Sequence, residues 1–234
     1  MIRLTIAPEP ASFTKNVREP GENALACLEG RPLPHKRSGR PISATKTVRG
    51  TQVKCTIDDF PYWRACVDEL HDAYRGICAY YCFRVEKAVL PHVDHFVAKH
   101  DSGSALAYEW SNYRLACGYA NACKNEHPDV LDPASIEDGW FQLDINTLDV
   151  RPASCLPAAK REEVESTIER LKLRKGRALD VRRHAMNHFR AGRVDLDFLE
   201  MDHPFLAKEL ARQGIRASTD LAPLPPHVVN TAEP

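Results

Sequence analysis

The sequence predicts an α+β fold in a mainly helical domain with an extended N-terminal segment. Three observations carry this: short β-branched and aromatic runs between residues 77 and 152, helical periodicity after residue 156, and little periodicity between residues 16 and 54. A chain of 234 residues with 43% hydrophobic content and zero formal net charge is large enough for one core with an appendage. No run of 18 apolar residues is present, so no membrane partner is expected. The opening "MIRLTIAPEPASF" reaches a proline and an acid too early for the apolar centre of a signal peptide, so the expected location is cytoplasmic.

Taken in order, "IRLTI" alternates as a short strand that "PEP" ends. Residues 16–54 read as extended or loop-rich. Within them "PHKRSGRPISATKTVRG" carries Lys36, Arg37, Arg40, Lys46 and Arg49 without an acid, which is either a phosphate-contacting arm or a solvated loop. Phe60, Trp63, Val67, Leu70 and Tyr74 recur at helical spacing up to Gly76 and form one core-facing stripe. "ICAYYCFRV" and "AVLPHVDHFVAK" are strand-like and could pair as a hairpin, and "SALAYEWSNYRLACGYANACKNE" begins irregular and becomes helix-compatible near its end. "VLDP" breaks that helix, because proline disfavours helical geometry in the residue before it. "GWFQLDINTLDV" reads as strands about a turn at Asn146. From Leu156 the chain is helical, with Val164, Ile168 and Leu171 as an apolar stripe, and "DLDFLEMDHPFLAKELARQG" adds one or two short helices. The resulting organisation is an N-terminal segment (1–58), a core (59–155), a helical region (156–214) and a flexible tail (215–234).

Eight cysteines without an export signal read as reduced core residues or metal ligands rather than a disulfide framework. Five stretches then appear in order: "CAYYC", "VDHFVAK", "YEWSNYRLAC", "CGYANACK" and "VLDP". Together they resemble the HNH endonuclease family, in the branch of the PtuB subunit of the Septu anti-phage system and retron-associated HNH nucleases. The likeness covers about a quarter of the chain.

It implies a ββα-metal finger in which Asp94 and Asn121 hold a divalent ion, Mg²⁺ or Mn²⁺, and His95 is the general base. Asn112 holds the loop between the strands, and Lys99 and Lys124 contact phosphate. The branch also carries two C-x-x-C pairs around a structural zinc. Here Cys78 and Cys117 match, but Tyr81 and Ala120 stand at the second positions. Cys82 and Cys123 are the shifted replacements, so the four thiols are either a zinc set or buried apolar residues. Val97 and Ala98 replace the branch's arginine and proline, while Asn125 and His127 are alternatives to Asn121. His92 and His100 read as bystanders.

The residue types suit the chemistry. Phosphodiester hydrolysis needs a base to deprotonate water and a cation to neutralise the charge that grows on phosphate. Histidine titrates near neutral pH, and a hard divalent ion takes oxygen ligands and keeps several waters. The expected function is therefore a metal-dependent HNH nuclease acting on DNA or RNA, as the effector of an anti-phage defence system with an ATPase partner. The alternative is a catalytically degenerate finger that serves as a nucleic-acid or protein docking module. A zinc-dependent transcription factor fits less well, because only Lys124 and then an acid and a proline follow Cys117 where a basic recognition helix is needed.

Overall fold

The computed structural model describes residues 1–37, 41–89 and 91–221, so Arg40 and the proline-rich end of the tail lie outside the described residues. At 44% helix and 11% strand, with three separate two-stranded antiparallel sheets, the fold is α+β rather than α/β.

The N-terminal segment departs from its expected extended form. "IRLTI" makes no strand but runs as a docked extension, with the Leu4 amide donating to the Pro133 carbonyl at 2.8 Å. A π-turn at Thr14–Arg18 then leads into helix α1 (Glu19–Leu28). Tertiary contact overrides the weak helical signal of "EPGENALACL": Pro20 sits in the first turn, where its missing N–H costs nothing, and Gly21 lies directly under the Tyr108 ring. A Cβ at Gly21 would fall 2.0 Å from that ring. Gly21→Ala is therefore expected to destabilise the protein by about 1–3 kcal/mol, although alanine gains roughly 1 kcal/mol in helix propensity. Urea unfolding checks this, and an unchanged or raised midpoint would contradict the packing.

After α1, strands β1 (Thr45–Val48) and β2 (Thr51–Lys54) form an exposed hairpin closed by Arg49 and Gly50, both at positive φ. The next helical stretch is shorter than expected. A 3-10 turn at Tyr62–Cys66 precedes helix α2 (Val67–Ala73), and this shift in pitch buries Cys66, Leu70 and Tyr74 while leaving Trp63 and Val67 half-buried.

The expected hairpin between "ICAYYCFRV" and "AVLPHVDHFVAK" does not form. Residues 77–84 fold back on themselves through a single bridge between Ile77 and Arg84. Strand β3 (His92–His95) instead pairs with β4 (Tyr113–Ala116), in register His92 to Ala116 and His95 to Tyr113. Helix α3 (Gly118–Lys124) follows β4 at once, its first turn capped by the Cys117 sulfur, which accepts from the Ala120 amide.

The C-terminal half follows the expected pattern. Strands β5 (Phe141–Leu143) and β6 (Val150–Pro152) flank the turn containing Asn146. Helices α4 (Ala158–Arg170), α5 (Gly176–Arg190), α6 (Leu196–Asp202) and α7 (Pro204–Arg212) come next. Val164, Ile168 and Leu171 are buried as one stripe. The start of the tail is anchored: the Ile215 amide donates to the Leu210 carbonyl, and its side chain packs on the core.

Two apolar clusters hold these elements. One gathers β5, β6 and helices α4 to α7 around Tyr81, Phe141, Phe189 and Leu206. The other gathers Phe13, Val17, Leu70, Tyr108, Trp110 and Tyr113. Phe13 and Val17 are fully buried there, at about 1.5–3 kcal/mol each, so the first part of the N-terminal segment belongs to the core. No described helix is long and apolar enough to cross a membrane.

Candidate active site

Strand β3 and helix α3 form one side of a cleft of about 740 Å³, and the turn that carries Asp58, Trp63 and Arg64 forms the other. Asp94, His95, Asn121 and Lys99 all line it. Strict strand alternation would send Asp94 and His95 to opposite faces. Both nevertheless border the cleft, as do His92 and Val93, so the whole of β3 runs along its wall.

His95 is 9% exposed. Its Nε2 lies 2.9 Å from the Ala107 carbonyl oxygen, which can only accept, so Nε2 carries the proton and donates. The other ring nitrogen, Nδ1, is thereby left as a lone-pair base. Trp63 and Tyr113 meet the ring edge-on, with centroids at 4.9 and 5.1 Å, and fix its plane. Burial, helped by the charges of Lys99 and Lys124, lowers the imidazole pKa to about 4 against the pull of the Ala107 bond. The ring is neutral at pH 7.

Asp94 is 4% exposed and accepts a hydrogen bond from the Tyr80 hydroxyl on Oδ2. Lys124 Nζ stands 3.6 Å from the same oxygen. Burial raises the Asp94 carboxyl and lowers the Lys124 ammonium, although each charge favours the other. Lys124 is 1% exposed, and its ammonium donates to the carbonyls of His95 at 2.7 Å and Phe96 at 2.6 Å. A phosphate contact does not fit this position: Lys124 is an interior cation that ties α3 to the end of β3.

Lys99 is half-buried on the cleft wall, 3.2 Å from Asp58 Oδ1 and over the Trp63 ring. Asn112 is buried behind the cleft and does not line it. Its side-chain oxygen accepts from the Val97 amide at 2.8 Å, and its side-chain nitrogen donates to the carbonyls of Val97 and Leu106 at 3.0 and 3.1 Å. The Asn112 side chain thus clasps Val97, at the start of the loop between β3 and β4, to Leu106 within it. His92, Asn125 and His100 also line the cleft, with His100 Nε2 3.4 Å from Asp58 Oδ2. His127 lies outside it, against α4.

Sequence reasoning missed two groups. Tyr80 carries no role in the sequence reading of "CAYYC", and only its buried hydroxyl reveals a partner for Asp94. Arg114, opposite Asp94 in the ladder, makes a buried two-pronged pair with Asp132 at 2.8 and 2.6 Å. The aspartate of "VLDP" thus braces the strand under the site.

The four thiols do not assemble as a zinc set. The Cys78 sulfur accepts from the Cys117 amide, and the two thiols face each other, with the bond from Cys78 lowering Cys117 to about 7 while burial pushes Cys78 well up. Cys82 turns away towards the Ala79 and Tyr80 carbonyls, beside the N-terminal amine. Cys123 sits at a separate surface groove. Tyr81 and Ala120 fill the space that second cysteines would take, and the Tyr81 hydroxyl donates to the Leu171 carbonyl at 2.8 Å. Among the described residues no group of three or more His, Cys, Asp or Glu is placed to hold a metal. Purified protein is expected to carry well under one zinc per chain by elemental analysis; a full equivalent would contradict the separated thiols.

A hard divalent ion is a different test. Asp94 and Asn121 offer carboxylate and amide oxygens to the same cleft, and a desolvated carboxylate gains from an added cation. That donor set fits Mg²⁺ or Mn²⁺ with water completing the shell.

No protein-family model matches this chain, and no curated protein matches it significantly.

Proposed function

We propose that the cleft is the active site of a metal-dependent nuclease of the HNH type, built on the ββα finger that β3, β4 and α3 would constitute. The observation that carries this reading is the Nε2–H bond from His95 to the Ala107 carbonyl, which leaves Nδ1 as a base beside Asp94 and Asn121. In this reading His95 takes a proton from the attacking water. A positioned base of this kind contributes about 10²–10⁴-fold in rate. The divalent ion, when bound by Asp94 and Asn121, supplies the positive charge that phosphate chemistry needs. Lys99, held on the wall by Asp58, exchanges that partner for a substrate phosphate. The cytoplasmic setting and the anti-phage role with an ATPase partner belong to the same proposal and rest on the resemblance of the motifs.

One observation favours the docking-module reading. Lys124 already sits 3.6 Å from Asp94 and gives it a resident counter-ion, so an ion-free site is not electrostatically empty. Plasmid DNA and total RNA incubated with wild type and Asp94→Asn at millimolar Mg²⁺ or Mn²⁺ separate the two readings. The nuclease reading expects metal-dependent products from wild type alone. Identical products, or none with either metal, would leave the docking module.

A further inference from the structure

Among the described residues no third strand pairs with the hairpin of β1 and β2, and its chemistry is specific. From Arg31 to Ile57 the sequence holds Arg31, Lys36, Arg37, Arg40, Lys46, Arg49 and Lys54 and not one acid. Among the described residues no carboxylate pairs with Lys36, Arg37, Arg49 or Lys54. The two strands form their own sheet with no third strand, a form that is marginally stable alone in water.

The register divides its faces. Lys46 lies opposite Val53, and this side turns to the body, where Lys46 pairs with Asp59 and Val53 is half-buried. Thr45 lies opposite Lys54 and Thr47 opposite Gln52, so the other side presents threonine, threonine, glutamine and lysine, all exposed. At the tip Arg49 holds φ 50°, a left-handed conformation that asparagine or glycine adopts at less cost. Arg49 thus places a charge at the outermost point of the ribbon, on a backbone conformation that other residues adopt at less cost.

We infer that this ribbon is an arm for duplex DNA, inserted in the major groove with Thr45, Thr47 and Gln52 against base edges and with Arg49 and Lys54, at its two ends, on the flanking phosphates. A two-stranded ribbon enters the roughly 12 Å wide major groove of B-form DNA, where glutamine and threonine meet adenine and the thymine methyl. The deep, narrow major groove of A-form RNA does not admit it. The arm is rooted beside the cleft: Lys46 is paired to Asp59, and the neighbouring Asp58 lines the cleft and holds Lys99. As a statement about substrate class, the inference rests on the nuclease reading of that cleft.

Binding is measured by fluorescence anisotropy with the full chain in EDTA, where no metal-dependent cut occurs, on a labelled DNA duplex, the same duplex in RNA, and one DNA strand alone. Arg49→Asn combined with Lys54→Gln should lower the slope of log affinity against log salt by about 2, near 0.9 per lost phosphate contact. Extended to 1 M salt, that slope corresponds to a loss on the order of a hundredfold at 50 mM. Arg49→Asn alone should weaken binding while its unfolding midpoint stays equal or rises, which a purely structural role for Arg49 would not give. Arg161→Gln, on the exposed side of α4, should leave the slope unchanged.

An unaltered slope in the double variant overturns the inference, as does tighter binding to the RNA duplex or the single strand, or no binding to any of the three. Cleavage is scored separately at millimolar Mg²⁺. Arm-dependent DNA binding without metal-dependent cutting would sink the nuclease reading and leave the arm; metal-dependent cutting with an indifferent arm would do the reverse.

Discussion

His95→Ala is expected to reduce metal-dependent cleavage by about 10²–10⁴-fold while the protein stays folded. The fold survives because the Ala107 carbonyl keeps a second donor, the Tyr113 hydroxyl at 2.7 Å, when the imidazole is removed. Cleavage by His95→Ala within a few-fold of wild type would remove the base from the mechanism. The pH profile adds an independent reading. Because burial holds the ring neutral down to about pH 4, the acid limb of activity should fall well below the 6.5 of an ordinary histidine. Stability follows the same sign. The unfolded chain binds this proton below pH 6.5 and the folded chain only below about 4, so folding loses roughly 3 kcal/mol from this group as pH falls through that window, and none above it. Urea titrations of wild type and His95→Gln in EDTA, at pH 7 and pH 4, isolate the difference. Parallel losses in both proteins would show that His95 is not the group responsible.

Lys124→Met is expected to cost about 3–5 kcal/mol of stability, the largest single effect outside the apolar core. The substitution keeps the length of the side chain but leaves Asp94 buried without its cation, and it removes the donor from the His95 and Phe96 carbonyls. Adding Asp94→Asn in the same chain removes the stranded charge and should return part of the loss, a coupling of about 0.5–3 kcal/mol. Millimolar Mg²⁺ should also restore part of it in Lys124→Met, because an ion on Asp94 then replaces the lost ammonium and stabilises the folded state by mass action. Chemical unfolding with and without Mg²⁺ reads all three numbers. A loss below about 1 kcal/mol would show that Lys124 is not the interior counter-ion described.

The elements that the sequence made legible are those whose signals are local. The Val164, Ile168 and Leu171 stripe and the turn at Asn146 each carry their period or punctuation within a dozen residues. The partner of β3 was not legible, since Tyr113–Ala116 returns across a long loop with no tight-turn signature, and the nearer run "ICAYYCFRV" looked equally strand-like. Helix α1 was hidden for a related reason: its glycine is chosen for Tyr108, some 87 positions away, not for helix propensity. At the site, ordering the motifs placed Asp94, His95, Asn121 and Lys99 on one cleft, but residue type alone could not say that Lys124 is buried or that Tyr80 is polar in use. The cysteines show the same limit, because spacing allows four thiols to converge and only packing decides that Tyr81 and Ala120 fill the space instead.

The clasp made by Asn112 has a consequence for how the site can diversify. With Val97 and Leu106 both fastened to one side chain, everything between them hangs from a fixed frame, and the Ala107 carbonyl stays opposite His95 however the span is filled. Each doubling of a flexible span costs only about 0.6 kcal/mol in closure entropy. Residues added at the outer turn over Asp101–Leu106 therefore change the rim of the cleft next to His100 at little expense, while the bond from His95 to the Ala107 carbonyl keeps its place. On the proposed nuclease reading, the rim that would meet a substrate can be rebuilt while the hydrogen bond that fixes the imidazole is held still.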